Sequence, residues 1–259
     1  MLLIACLVLT GCPHPPVVSW ATVRNDELPS DSAALERLAA EWETRGDRVS
    51  LENALVVRDK ALASQRGLFD LLWKNARAAC ELADAARGDR DKVREAQFAE
   101  RARRYAEQAV VADVKRVEGH YYLAEAIGLF ADTKTVAAWV VLPEMLRESK
   151  AAVAADEKYE HAGPHRLLGA LLISAPPWPT SVGDVDEGLE EEKRAVELDS
   201  AYPANHLYLG EALLKNNQLA AARKELVGVL VAPAPLGDEL RAARWRIHAS
   251  ELLAQIKER

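Results

Sequence analysis

The sequence predicts an all-α protein, built as a solenoid of antiparallel helical hairpins. Beyond residue 30, apolar residues recur three and four positions apart, as they do along one face of a helix. Aromatic residues make up only 6% of the chain and alternating β-branched runs are scarce, so strands are not expected. The chain also repeats itself, because similar stretches at 109–113, 152–156 and 195–199 stand 43 residues apart. Such repetition is typical of stacked helical units.

Each of these stretches is followed by a second similar stretch that begins with a histidine. The three histidines are His120, His165 and His206. In each case the first stretch ends one helix and the second stretch begins the next helix. Each such repeat, here called a unit, therefore predicts two helices joined by a turn. Ser50 and Asp184, each followed by acidic residues, predict helix N-caps.

The third unit, residues 205–229, resembles a tetratricopeptide repeat. Gly210 and Ala222 stand where that repeat places small residues at the close contacts between its two helices. Its usual period is about 34 residues, so the longer units need inserts. We expect inserts at 131–147 and at the proline-rich segment 175–182.

The segments on either side complete the predicted solenoid. Residues 35–62 and 68–105 predict at least one further helix pair, and 241–256 predict a terminal capping helix.

The first twelve residues form an apolar run that is too short to cross a bilayer as a helix. A signal peptide fits better, and the residues from Leu9 to Cys12 resemble the lipobox of bacterial lipoproteins. The resemblance implies removal of residues 1–11, acylation of Cys12, a tether over 12–29 and a single solenoid over 30–259. The alternative is a buried N-terminal element with a chance cysteine. No Lys or Arg precedes the apolar run, so we expect the natural start to lie upstream.

Charge and cysteine content exclude several classes of function. The formal net charge of −7 argues against nucleic-acid binding and against broad adhesion to anionic lipid, since both need basic surfaces. We therefore expect membrane contact through the lipid anchor alone. Once Cys6 leaves with the signal peptide and Cys12 is acylated, only Cys80 remains as a thiol, so no internal disulfide is expected.

No catalytic or metal-binding motif stands out, so we expect no enzymatic activity, metal or cofactor. The repeated histidines are best explained as packing residues that duplicated with the repeat. His161 and His165 have the spacing of metal ligands on a helix, but Gly163 and Pro164 should break the helix between them. The acidic run 184–192 is expected to be a solvated helix face.

Binding is the better prospect, because stacked hairpins form a concave groove lined by the first helix of each pair. By the repeat pattern, the residues facing this groove are Tyr121, Tyr122, Glu125, Arg166, Ala170, Ile173, Tyr208, Glu211 and Lys215. The alternative for Tyr122 and Tyr208 is packing between repeats. Trp139 and Trp178 lie in the inserts and predict a second surface or the cover of a ligand cavity; alternatively, they plug a gap in the core.

The lipobox-like start, the early helices and the enlarged repeats together resemble the tetratricopeptide lipoprotein subunits of tripartite ATP-independent periplasmic (TRAP) transporters. The resemblance implies a scaffold that binds a periplasmic solute-binding protein and assembles with copies of itself. Residues 216–219 lack the glycine-rich turn of that family. Two alternatives remain: a binder of a small apolar or carboxylate ligand, and a lipoprotein of outer-membrane assembly or secretion. Pro13 after the lipidated cysteine favours the outer membrane, facing the periplasm.

Overall fold

The fold is seen in a computed structural model of the chain, which describes residues 19–64, 68–133, 138–235 and 239–257. Within these ranges the chain forms eleven α-helices and no strand, which confirms the all-α prediction. The helices are α1 (Ser32–Glu43), α2 (Arg48–Ser64), α3 (Phe69–Gly88), α4 (Lys92–Ala112), α5 (Val117–Thr133), α6 (Ala138–Ala155), α7 (Tyr159–Ser174), α8 (Val185–Leu198), α9 (Pro203–Lys215), α10 (Leu219–Val231) and α11 (Glu239–Lys257).

Consecutive helices pair into five antiparallel hairpins, from α1/α2 to α9/α10, and α11 follows as a single last helix. Helix α3 packs on α5, α5 on α7, α7 on α9 and α9 on α11. These five helices form one side of the stack, which we call the inner face. The end of the stack where the first helix of a hairpin joins the second, as at 89–91 and 175–184, is called the turn end.

Glycines at helix contacts let the two helices of a hairpin approach closely. A Cβ atom at Gly210 would lie 2.7 Å from the side chain of Leu226, so α9 and α10 could not pack this closely with a larger residue. Leu226 is thereby fully buried, which contributes about 1.5–3 kcal/mol. The predicted close contacts at Gly210 and Ala222 are confirmed, since Ala222 is also fully buried.

One of the two predicted N-caps needs correction. Helix α2 begins at Arg48, and the Asp47 carboxylate accepts a hydrogen bond from the backbone N–H of Ser50, 3.0 Å away. The predicted N-cap at Ser50 was therefore wrong, because Asp47 supplies an acceptor three residues earlier. Asp184 does cap α8, accepting from the backbone of Asp186 and Glu187.

The expected insert at 131–147 is largely helical. Helix α5 continues to Thr133 and α6 begins at Ala138, so the extra residues lengthen both helices of that hairpin. The expected insert at 175–182 does form a loop between α7 and α8. In the described part of the chain, no helix combines the length and apolar character that crossing a membrane requires. Cys12 and the predicted signal peptide lie outside the described residues.

Candidate functional site

An aromatic cluster joins the first helices of three hairpins. The Tyr122 ring stacks on Trp73 of α3 with their centroids 6.1 Å apart, and Tyr121 meets Tyr159 of α7 edge-on at 5.3 Å. Tyr121 and Tyr122 are only 5% and 3% exposed. Both were predicted to face the groove, but their position is that of packing residues, and Tyr122 offers almost no surface to a partner.

Arg166 holds an unusual stretch of backbone at the start of α7. Residues 160–162 have φ values between 47° and 63°, a left-handed conformation that costs about 1–3 kcal/mol per residue. The Arg166 guanidinium, 5% exposed, donates to the carbonyl oxygens of Glu160 and His161 and to Oδ1 of Asn205. Arg166 was predicted to recognise a ligand, but its contacts stabilise this turn and tie α7 to α9.

Beside the aromatic cluster lies a group of charged side chains that we call the polar recess: Glu81 and Asp84 of α3, Glu125 of α5, and Arg241 and Arg244 of α11. Arg244 donates to Asp84 across 2.9 Å, so α11 reaches α3 over the inner face. Burial raises the pKa of Glu125 to about 7, against the opposing effect of Arg241. Burial also raises the pKa of Glu81, although 34% of that side chain is exposed. The recess therefore lies below the surrounding protein surface but remains accessible to water.

A cavity of about 60 Å³ adjoins the recess. Its lining includes Tyr121, Glu125, Arg166 and Tyr208, together with Arg241 and Trp245 of α11. Four of the residues predicted for the groove thus meet at one place. The contribution of α11 was missed, although Arg241, Trp245 and His248 recur at helical spacing in the sequence.

The last two predicted groove residues lie one turn apart at the end of α9. Glu211 accepts from His248 of α11 at 3.3 Å and pairs with Lys215 at 3.4 Å. The hydrogen bond from His248 lowers the pKa of Glu211. Lys215 is exposed and marks the edge of the inner face.

The repeated histidines each bond a glutamate on the second helix of their own hairpin. His120 Nδ1 lies 2.6 Å from Glu148, His165 Nδ1 lies 2.5 Å from Glu191, and His206 Nδ1 lies 2.6 Å from Glu225. The Nε2 atoms of His120 and His206 bond carbonyl oxygens of the preceding turn. These contacts fix the packing of each hairpin, and the described residues contain no group of three or more potential metal ligands.

Of the two tryptophans in the expected inserts, the structure describes the side chain of Trp178 but not that of Trp139. Trp178 is 83% exposed on the loop between α7 and α8, so it neither fills the core nor covers a cavity. The side chain of Trp139 lies outside the described residues.

A further set of contacts was not predicted and holds the start of the described chain. The Glu52 carboxylate accepts from the Ser19 hydroxyl and the Trp20 backbone, each at 2.6 Å. Asn53 Oδ1 accepts from the backbone of Thr22 and Val23. Residues 19–23, expected to be part of a tether, are thus fixed to α2. In the sequence, the signal available for these contacts was a polar pair, Glu52 and Asn53, in an otherwise apolar stretch.

Comparison with known proteins shows the fold and no closer relationship. No family model and no curated protein sequence matches the chain. Among solved structures, TTC0263, a thermophilic TPR protein of Thermus thermophilus, has a TM-score of 0.63 at 17% identity, covering 86% of this chain and 100% of that one. MamA of Desulfovibrio magneticus RS-1 has a TM-score of 0.50 at 16% identity, covering 86% of this chain and 96% of that one. PilF of Pseudomonas aeruginosa has a TM-score of 0.50 at 15% identity, covering 88% of this chain and 90% of that one.

These similarities confirm the predicted tetratricopeptide-like solenoid. Identity is low in every case, so they establish the architecture alone, and function has to be argued from the residues of this chain.

Proposed function

We propose that this chain is a lipid-anchored, non-enzymatic scaffold that binds a segment of a partner protein at the polar recess. The observation that carries this proposal is the grouping of Glu81, Asp84 and Glu125 on the inner face. Burying a carboxylate disfavours folding, as the raised pKa of Glu125 shows, since burial is its main cause and the nearby carboxylates of Asp84, Glu160 and Glu81 add to it. Stability alone would favour apolar residues there, so the grouping is best explained by binding.

The resemblance to lipoproteins supports the membrane anchor. Acylation at Cys12 would leave a short segment before Ser19, which is hydrogen-bonded to α2. A scaffold held this way would stay close to a membrane. The outer membrane, with the solenoid facing the periplasm, is the location that the sequence favours.

The resemblance to subunits of TRAP transporters gives the specific form of the proposal. The partner would then be a periplasmic solute-binding protein. A role in outer-membrane assembly or secretion would use the same anchor and face with another partner, so the identity of the captured protein separates these two roles.

Binding of a small ligand is less well supported. The cavity beside the recess measures about 60 Å³, and an open cavity between α9 and α10 measures about 270 Å³. Both are smaller than typical ligand pockets of about 300–1,000 Å³. Trp178, which was expected to cover a cavity, lies exposed at the surface.

The proposal is tested by photo-crosslinking in the membrane of a bacterial host. A photoreactive amino acid replaces Glu81, a recess residue whose side chain is 34% exposed. In the matched control it replaces Glu190 on α8, whose side chain is 72% exposed. We expect a discrete crosslinked protein at position 81 that is absent at position 190. A solute-binding protein in that adduct would support the transporter role.

Two results would contradict the proposal. Adducts at position 190 but not at 81 would place the binding surface outside the inner face. A Cys12→Ser variant that stays in the membrane fraction as fully as the wild type would rule out the lipid anchor.

A further inference from the structure

We infer that the turn end of the solenoid faces the lipid bilayer and that Trp178 enters the interface of that bilayer. The inference rests on the proposed anchor at Cys12, and it adds an orientation and a second point of membrane contact.

The described chain begins at the turn end. Residues 19–21 are bonded to Glu52, in the second turn of α2. The Trp20 ring stacks on Phe98 near the start of α4, with centroids 5.8 Å apart, and Arg48 lies over the same ring. Both α2 and α4 begin at this end of their hairpins, so the N-terminal segment leaves the solenoid there.

The segment that joins Ser19 to the anchor is short. Seven residue steps separate Cys12 from Ser19, and a chain of that length spans at most about 25 Å. By comparison, a 21-residue helix such as α4 is about 31 Å long. An acylated Cys12 therefore holds the turn end close to the bilayer, whatever path the segment takes.

Trp178 projects from the same end. The ends of α3 and α5 lie side by side there, since Arg87 bonds Asp132 at 2.8 Å, and the loop after α7 continues this row. The loop is tied down at its base, where Asp184 donates to the carbonyl oxygen of Leu172 and Gly183 donates to that of Pro176, each at 2.9 Å. The 83% exposed indole is thus presented by a fixed loop.

The composition of the loop favours lipid over a protein partner. Residues 175–183 carry no charge in a chain that is 28% charged. Tryptophan is the side chain most characteristic of the membrane interface, because its ring is apolar and its N–H can meet the headgroups. A standard protein interface takes about 20–30 residues from each partner, whereas only residues 177–180 of this loop are exposed. The net charge of −7 points to an uncharged headgroup.

The test uses residues 12–259, with Cys12 coupled to a maleimide lipid in phosphatidylcholine vesicles. Cys80 is 1% exposed and stays unreacted. Subtracting the emission of a Trp178→Phe variant from that of the wild type isolates the Trp178 signal. We expect this signal to shift to shorter wavelength on coupling and to be lost when the lipid acyl chains are brominated. The matched control adds Val111→Trp to Trp178→Phe, because Val111 is 88% exposed at the opposite end of α4.

An emission from Trp178 that stays at the wavelength of an exposed indole and is not quenched would overturn the inference. Equal quenching at position 111 would overturn the orientation. Because the coupling is chemical, the result does not depend on natural acylation, which is checked separately by labelling the full-length chain with palmitate in a bacterial host. Labelling without quenching would support the anchor and reject the orientation. Quenching without labelling would support the orientation of the coupled protein and reject natural acylation at Cys12.

Discussion

Replacing Glu192 by leucine should stabilise the protein. Glu192 is fully buried on α8, and neither of its carboxyl oxygens has a hydrogen-bond partner. It lies against Gly169 of α7, as Leu226 lies against Gly210 in the next hairpin. The preceding residues, Glu191 and Glu225, also match, since each bonds the repeated histidine. The chain itself therefore shows that leucine fits this position.

The magnitude follows from the cost of a buried polar group without a partner, about 1–3 kcal/mol. We expect Glu192→Leu to raise the free energy of unfolding by about 2 kcal/mol, which for a chain of this size corresponds to a rise in Tm of about 4–8 °C. Burial raises the pKa of Glu192 well above its usual value of 4.5. Above pH 4.5 the folded chain keeps a proton that the unfolded chain has lost, so Glu192 destabilises the fold more as pH rises.

Thermal unfolding followed by circular dichroism, at about pH 5 and about pH 7.5, measures both effects, and the gain in Tm should be larger at the higher pH. The control is Glu190→Leu on the same helix, whose side chain is 72% exposed and should change stability by less than about 0.5 kcal/mol. A lower Tm for Glu192→Leu would refute the reasoning, since it would mean that the folded chain stabilises the carboxylate. An equal gain in Tm at both pH values would refute it as well, since it would mean that folding does not shift the pKa of Glu192.

Three further changes test the contacts that support the site. The hydrogen bond to Glu148 raises the pKa of His120 above 6.5. While Glu148 stays ionised, this contact stabilises the fold fully below pH 6.5 and less as pH rises through the raised pKa. The loss of Tm in His120→Gln should accordingly be greater at about pH 5.5 than at about pH 8.5. Arg166→Met removes the donors that hold residues 160–162 and should cost about 3 kcal/mol in denaturant unfolding, against less than about 0.5 kcal/mol for the exposed Arg223→Met. Asn53→Ala removes the acceptor of two backbone N–H groups, so limited proteolysis should cut residues 19–23 faster than in the wild type, and an unchanged rate would argue against that contact.

The histidine series shows how far repeat spacing can predict a structure. Near-constant offsets from the preceding stretch placed His120, His165 and His206 on equivalent helices, and the structure bears this out. Their glutamate partners follow at 28, 26 and 19 residues, because the lengths of the helices and turns between them differ. A partner at a variable separation gives no periodic signal, so the contacts themselves could not be predicted.

The inner face was predictable along a single helix but not across the whole stack. Tyr208, Glu211 and Lys215 follow helical spacing, and all three lie on that side of α9. The pairing of Arg244 with Asp84 depends instead on curvature that accumulates over successive hairpins. No local pattern encodes such a contact, which is why α11 was expected to be a cap and its place in the recess was missed.

The contact between Arg244 and Asp84 also affects how a partner could enter the recess. Arg244 and Asp84 are 37% and 31% exposed, and ion pairs so accessible to water contribute about 1 kcal/mol or less. Helix α11 is held elsewhere, through Ala249, Leu252 and Ile256, which are buried against α9 and α10. The recess can therefore open at its α3 edge while α11 stays in place. A positively charged partner segment can then replace Arg244 at little cost, while Asp84 keeps its pair with Arg87. Because the attraction between Asp84 and a positively charged partner segment would itself be screened by salt, binding at the recess should weaken as ionic strength rises.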